Sequence, residues 1–458
     1  MTIVAATGAL RGSNQVGGTL ASILKELYQP AIVDQLNSAT VLRRLISSRE
    51  LNMEGKYSVH ELRVGRNFGF GAAGEGGRLP DPQAQQYTAA KYWPRYTYGR
   101  IKFTGPSASA ARSDRGSFIR VMDSEMQGLV QDMMHNDNRI MFGDGSGRLC
   151  QITGTGTSSG PWTVTNPGGI SSTALGTQYL DNGMRVAILA PATSDTAAVA
   201  VGTAPNATTF AGGLLAGFIS SIDKSAGTVS FVNQAGTALN LTITSGTQYL
   251  YLANESSTDL TGTSWARGLE PHGLAAIVDD ANPVFADATT GNWGLGFGLI
   301  DTNAYPIWKA PVLDNGGTPI PFSPDMFQQA MDLLDQTAGG HVEAWVTTHG
   351  IRRQYLNTLI ANKQHVNTMD LDGGFKSLTY DGRPIIVDKD CTRGRVYGLN
   401  LETMFVLSET DYDWMDQDGA VLTRLENQDA FQAALYRYWN MGTDRRNANV
   451  LIADILDT

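Results

Sequence analysis

The chain predicts an α+β fold with a small all-β unit set inside it. Three observations carry this prediction. One apolar stripe recurs at helical spacing through 113–142, a charge-poor island rich in Thr, Ser, Gly and Ala fills 150–266, and helix and strand patterns mix from 270 to 458. The 458 residues suit about three domains and are ample to bury a core without staples.

Residues 1–18 are small and polar and read as a flexible arm. Helical spacing follows at Leu20, Ile23, Leu24, Leu27, Ile32, Leu36, Leu42, Leu45 and Ile46. Pro30 splits it into two short helices, because its ring removes a donor and clashes with the preceding turn. They suit a packed pair or a clasp on a neighbouring chain equally. Tyr57–Val64 alternates like a strand, and Gln86–Phe103 is a second strand-like stretch rich in Tyr and Trp. The Gly-rich run 65–77 and Leu79-Pro80-Asp81-Pro82 lie between them, which makes an extended hairpin with a long tip. Without a core of its own, such a hairpin needs another surface to lie on.

In 113–142, Phe118, Met122, Met126, Leu129 and Met133 share one helix face, widened by Ile119, Val130 and Met134. Ser113 or Asp114 can cap its start, and Gly143-Asp144-Gly145 ends it. About 25 residues make a rod of roughly 37 Å. The Met-rich stripe suggests either an adaptable binding face or a plain core-facing one, and the second reading is preferred. The island 150–266 holds two basic residues, Arg185 and Lys224, against five acidic ones, with strand-like runs at Met184–Leu189, Thr228–Val232 and Leu239–Thr244. Its close-spaced turns predict a small barrel or sandwich inserted into a host domain. Gly-Thr-Gln-Tyr-Leu occurs at 176–180 and 246–250, as a pseudo-repeat or as a coincidence of biased composition.

Beyond 270, Pro324–Leu334 reads as a helix capped by Ser323, Glu343–Thr348 as a strand and Ile351–Ile360 as a helix. Ser377–Tyr380 and Pro384–Val387 flank an Asp381-Gly382 hairpin turn. Arg395–Leu399 is a further strand, and Phe431–Trp439 with Asn449–Ile455 is expected to close a sheet.

The net charge of −10 and pI near 5.1 argue against an open nucleic-acid binder, which needs an excess of Lys and Arg. Only 17% of residues are charged, a scarcity that suggests a surface covered by other copies. Cys150 and Cys391 are too few for a disulfide scaffold or a Cys-based zinc site, and two free thiols are favoured over one long-range bridge. No signal peptide or membrane span is read; the longest apolar candidate, Phe210 to Ile219, is too short. A soluble protein made in a reducing compartment is expected.

Local motifs fail on context. Gly69-Phe70-Gly71-Ala72-Ala73-Gly74 fits a dinucleotide fingerprint, but the Gly- and Pro-containing run after it cannot start the helix that would hold a pyrophosphate. Gly156-Thr157-Ser158-Ser159-Gly160 fits a hydrolase elbow without the flanking strand and helix. The six histidines, at 60, 135, 272, 341, 349 and 365, show no metal-like spacing and read as ordinary ones. Asp411, Asp413, Asp416 and Asp418 around Trp414 lack the Gly and Glu of a calcium loop and read as a solvated acidic loop. Asn206, Asn240 and Asn254 begin sequons that are silent without secretion. No nucleophile, base and oxyanion set assembles, so no enzyme, cofactor or metal is expected.

The order of the pieces resembles the major capsid protein of tailed bacteriophages, with the Hong Kong 97-type fold. Gly65–Tyr98 is similar to the extended loop, and Ser117–Phe142, followed by Gly143-Asp144-Gly145-Ser146-Gly147, to the spine helix. Asp325–Leu334, Trp345-Val346-Thr347 and Arg352–Leu359 resemble axial-domain elements, and Leu378–Val387 the axial hairpin. Asn427–Ile455, with Arg445-Arg446-Asn447-Ala448, resembles the strand pair that re-enters the peripheral domain. The resemblance covers about 340 residues, all but the island. It implies an arm at 1–50, an extended loop at 51–105, a peripheral domain with spine helix at 106–149, an inserted β domain at 150–275, a return to the peripheral domain at 276–322, an axial domain at 323–400 and C-terminal peripheral strands at 401–458.

A structural shell subunit is therefore the leading expectation: a virion protein, assembled in the bacterial host cytoplasm into hexamers and pentamers that enclose double-stranded DNA without reading its sequence. Portal, scaffolding and decoration proteins are further implied partners, and a membrane is not. The hairpin residues Arg66, Phe68, Phe70, Glu75, Arg78, Leu79, Tyr87 and Trp93 are the expected contacts between copies. Some members cross-link a loop Lys, but 65–90 has none, and Lys91 and Lys102 lie on the strand. The rivals are an encapsulin-like nanocompartment and a hydrolase with a β accessory domain.

Overall fold

The computed structural model describes residues 40–46, 50–52, 55–105, 115–153, 156–170, 175–189, 215–233, 235–239, 241–243, 248–253, 268–281, 297–361, 368–371, 375–416, 421–425 and 428–457. The expected arm and the helices at 20–36, the caps Ser113 and Asp114, the side chains of Phe118, Ile119 and Met122, and the three sequons lie outside them.

The described chain opens with helix α1 (Val41–Ile46) and strands β1 (Glu50–Asn52), β2 (Ser58–Gly65), β3 (Gln86–Tyr92) and β4 (Arg95–Thr104). The stretch read as one strand from Gln86 is thus two. Pro94 has no N–H to give a ladder, and the chain changes partner there: β3 pairs with β2, whereas β4 joins a separate sheet. Helix α2 (Arg115–Phe142) lies on β4. Its stripe is core-facing: Met133 is buried, and Met126, Leu129, Val130 and Met134 are half-buried. A Cβ on Gly99 of β4 would stand 2.7 Å from the Met133 sulfur and 2.9 Å from Leu129 Cδ1. The bare glycine lets helix and sheet close on each other.

The charge-poor stretch then forms β5 (Arg148–Thr153), β6 (Gly156–Ser158), β7 (Trp162–Thr165), β8 (Arg185–Leu189), β9 (Leu215–Asp223), β10 (Thr228–Val232), β11 (Leu241–Ile243) and β12 (Gln248–Leu252). Six of these close into a barrel in the order β10-β7-β5-β12-β8-β9, while β6 and β11 pair separately. Leu149, Ile152, Trp162, Val164, Val186, Ile188, Val229, Phe231 and Leu250 form its core. Strand closure lets so few charges suffice, because a closed barrel leaves no edge to protect. The repeated pentapeptide is compositional: at 176–179 it is a 3₁₀ turn, whereas Gln248-Tyr249-Leu250 is strand. Cys150 and Cys391 are both free and buried.

The rest of the chain supplies β13 (Val312–Leu313), helix α3 (Asp325–Ala338), β14 (Ala344–Thr347), helix α4 (His349–Ala361), β15 (Thr368–Leu371), β16 (Phe375–Tyr380), β17 (Arg383–Val387), β18 (Val396–Leu399), β19 (Met404–Trp414), β20 (Thr423–Arg424), β21 (Ala430–Thr443) and β22 (Val450–Ile452). A seven-stranded sheet runs β13-β22-β18-β14-β17-β16-β15. Alternation sends Trp345, Ile385, Val396 and Val450 to the side of α3 and α4, and Val346, Ile386, Tyr397 and Leu451 to the opposite core. Both faces are covered at the central strands β14, β18 and β22, which is why these are largely apolar. Ser323 lies one residue before the cap position of α3, which Pro324 occupies.

Residues 431–439 and 449–455 do not close one sheet. β21 pairs with β4 on one edge and with β19 and β20 on the other, whereas β22 lies between β13 and β18. The bend at Arg446–Ala448 carries the chain across. The acidic segment is also no loop as far as Trp414. It is the end of β19, where Asp411 and Asp413 alternate with Tyr412 and Trp414, and Asp411 pairs with Arg437 at 3.2 Å.

The Asp381-Gly382 turn takes φ of +50° and +74°, the left-handed pair of a two-residue hairpin. Open space surrounds Gly382, so Gly382→Ala meets backbone strain alone and should lower stability by about 1–2 kcal/mol. Urea unfolding of the variant checks this.

Candidate assembly surface

β2 and β3 pair from Ser58↔Tyr92 to Gly65↔Gln86, and residues 66–85 form the tip. The tip is held by its own polar groups. Asn67 Nδ2 donates to the Gln83 carbonyl at 2.5 Å, Gly69 N donates to Asn67 Oδ1 at 2.7 Å, and Gly77 N donates to the Gly74 carbonyl at 2.9 Å. Arg78 and Asp81 pair at 3.1 Å, both in solvent. Its apolar groups stay uncovered: Phe68, Phe70 and Leu79 are 64%, 73% and 78% exposed. Phe68 and Phe70 lie 6.3 Å apart, ring centre to ring centre. Arg66 and Glu75 are exposed in the same hairpin, and Tyr87 is exposed at the start of β3.

Trp93 sits elsewhere, half-buried at the hairpin root. Its ring lies 5.6 Å from that of Tyr57, and its carbonyl accepts from Asn440 Nδ2 at 2.7 Å. Tyr92, fully buried, donates to the Thr443 carbonyl at 2.8 Å and packs on Phe297 and Phe405. Burial pushes its phenol up, out of the titrating range.

His60 is a partnered histidine at the hairpin root. Its Nδ1 is 3.1 Å from Asp444 Oδ1, its Nε2 is 3.1 Å from Ser58 Oγ, and its ring stacks on Phe405 at 4.6 Å. Ser58 and His60 share a strand face because they are two apart. The connectivity is that of a hydrolase relay. At this root, it ties β2 to the end of β21. Only the Ser-x-His spacing was visible in sequence; Asp444 is far along the chain.

A second uncovered surface lies on the outer face of β4 and β21. Tyr96 and Tyr98 are 53% and 55% exposed, and Tyr438 meets them edge-on at 4.9 and 6.1 Å. Tyr436 adds a fourth ring 5.0 Å from Tyr438. The inner face of the same sheet is dry and charged. Asp137 of α2 pairs with Arg437 at 3.0 Å and accepts from the Tyr412 hydroxyl, while the guanidinium stacks over Trp439 at 4.7 Å.

Among the described residues, the barrel side of the chain bonds to the loop at 389–391. Tyr179 donates to the Asp390 carbonyl at 2.7 Å, and Gln178 Nε2 donates to the carbonyls of Lys389 and Cys391 at 3.0 and 2.8 Å. In the same loop, Asp388 accepts from the N–H of Leu42 at 3.0 Å, and Asn138 Nδ2 bridges Asp388 and Asp390. Burial pushes the Asp390 carboxyl up. Sequence reading found none of these ties, because each joins segments far apart in the chain.

No protein-family model matches the sequence, and no curated protein matches it. The architecture, however, is the fold of a bacteriophage capsid subunit. A subunit of the cyanophage A-1(L) capsid asymmetric unit aligns over 95% of this chain and 98% of its own, at a TM-score of 0.53 and 12% identity. The Gordonia phage Cozz structure aligns over 96% and 95%, at 0.44 and 10%. The SrpI encapsulin complex of Synechococcus elongatus aligns over 35% of this chain and 60% of its own, at 0.26 and 10%.

Proposed function

We propose that the chain is the structural subunit of an icosahedral phage capsid, assembling into hexamers and pentamers around double-stranded DNA. The fold shared with the cyanophage capsid subunit over 95% of the chain carries this reading. The uncovered apolar tip at Phe68, Phe70 and Leu79 supports it, since a soluble monomer gains nothing from presenting these groups on an extended hairpin. In this reading 51–105 is the extended loop laid on a neighbouring copy, with Arg66, Phe68, Phe70, Glu75, Arg78, Leu79 and Tyr87 as contacts and Trp93 as the root that orients them. α2 is the spine helix of the peripheral domain, and the five-stranded sheet built around β21 belongs to that domain. The seven-stranded sheet with α3 and α4 corresponds to the axial domain. The barrel is an inserted domain projecting from the outer surface. A net charge of −10 suits a container, because it does not bind packaged DNA to the wall. The subunit belongs in the virion and assembles in the host cytoplasm, with portal, scaffolding and decoration proteins as further partners.

Expression of the chain and electron microscopy of the product test this. Closed shells or rings of five and six are expected. A product that stays monomeric at high concentration overturns the reading. Shells purified from infected cells should hold nuclease-protected DNA; shells with protein cargo in its place would make the chain a nanocompartment subunit.

A further inference from the structure

Three metal-ligating side chains from two separated segments meet where the chain enters β14. His341, Glu343 and Glu402 each bring one ligand atom within 4.8 Å of the others. His341 and Glu343 are two apart in the segment that leads into β14. Glu402 arrives from the 3₁₀ turn Leu401–Thr403 that leads into β19. The two segments are locked by backbone, since Glu343 N donates to the Leu399 carbonyl at 2.8 Å.

The Glu343 carboxylate is oriented as well as placed. Its Oε2 accepts from Leu401 N at 3.2 Å, which leaves Oε1 turned to His341 Nε2 at 3.6 Å. Metal-binding carboxylates are commonly fixed by such an outer hydrogen bond. Two ligands about 2.0–2.1 Å from one tetrahedral zinc ion lie roughly 3.3 Å apart, so a small side-chain shift seats an ion between them. The buried Asn400, which begins the same turn, has a side-chain oxygen with no hydrogen-bond donor.

We propose that His341, Glu343 and Glu402 form a binding site for a divalent first-row cation of the zinc class, which clamps the entry of β14 to the turn before β19. One imidazole with two carboxylates suits Zn²⁺ better than Ca²⁺ or Mg²⁺, which favour all-oxygen shells. Three protein ligands leave a position for water or for a group from a neighbouring copy. The site does not depend on the capsid reading.

The test uses the full chain, stripped with a chelator and titrated calorimetrically with ZnCl₂. Wild type should show one zinc event per chain that is weakened about 10-fold or more in His341→Ala and in Glu402→Gln. Calcium should not compete. Side-chain exposure of 59% at His341 and the exposed position of Glu402 mean that both variants should fold and melt like the metal-free wild type, so lost binding cannot be put down to unfolding. Zinc binding equal in wild type and both variants, or none in wild type, overturns the proposal.

Discussion

Arg437→Met should lower the unfolding free energy by about 3–5 kcal/mol, the range for removing one partner of a buried ion pair. Asp137 and Arg437 are 1% and 4% exposed and 3.0 Å apart. With the guanidinium gone, the carboxylate keeps only the Tyr412 hydroxyl on Oδ2, and its Oδ1 already has no hydrogen-bond partner. The penalty has a predictable pH dependence. Burial pushes the Asp137 carboxyl up, while Arg437 pulls it back down. A carboxyl raised in the folded state holds its proton more tightly there than in the unfolded chain. Its contribution to stability is therefore lost as pH rises from the unfolded value, roughly 4, through the folded one. Removing Arg437 raises the carboxyl further. The variant should then be weakest at neutral pH and recover part of its stability on acidification, and Asp137→Asn in the same background should recover much of it at neutral pH. Urea unfolding across pH checks all three. An Arg437→Met chain as stable as wild type would show that the pair contributes nothing net.

The combined variant Phe68→Asp, Phe70→Asp, Leu79→Asp should abolish assembly while leaving the subunit folded. These side chains touch nothing of their own core, and substitutions at such surface sites usually shift stability by no more than about 0.5 kcal/mol. Placed against another copy, each aspartate would have to be stripped of water without a partner, a cost of several kcal/mol per charge. Sedimentation and electron microscopy should show free subunits or small oligomers with an unchanged melting temperature. Normal shells from this variant would remove the tip from the contact.

The elements legible in sequence were those whose signal is local. The apolar stripe of α2, the Asp381-Gly382 turn, the charge-poor barrel and the Gly-rich tip each depend on neighbours a few residues away. β19 was missed because its acidic residues hide an alternation that is plain once read in twos: Asp411 and Asp413 outward, Tyr412 inward on Asp137. The break at Pro94 was visible as a residue, but its consequence, a change of sheet, was not. The metal-ligating trio was overlooked for a related reason. His341 and Glu343 are two apart in the sequence, but Glu402 reaches them only after the chain has passed through β14, α4 and four further strands.

By itself, the sequence determined the long helix α2, the Asp381-Gly382 hairpin and a charge-poor β unit, left open between barrel and sandwich, and which apolar residues of the tip have no core of their own. Periodicity, turn chemistry and composition are local properties, so one chain suffices to express them. Tertiary structure decided the partners: β22 going to β18 and not to β21, Asp444 to His60, Arg437 to Asp137, and Glu402 to His341 and Glu343. Such pairings are set by which buried charges and apolar faces can be satisfied together once the whole chain is compact, and no spacing within a single segment encodes them.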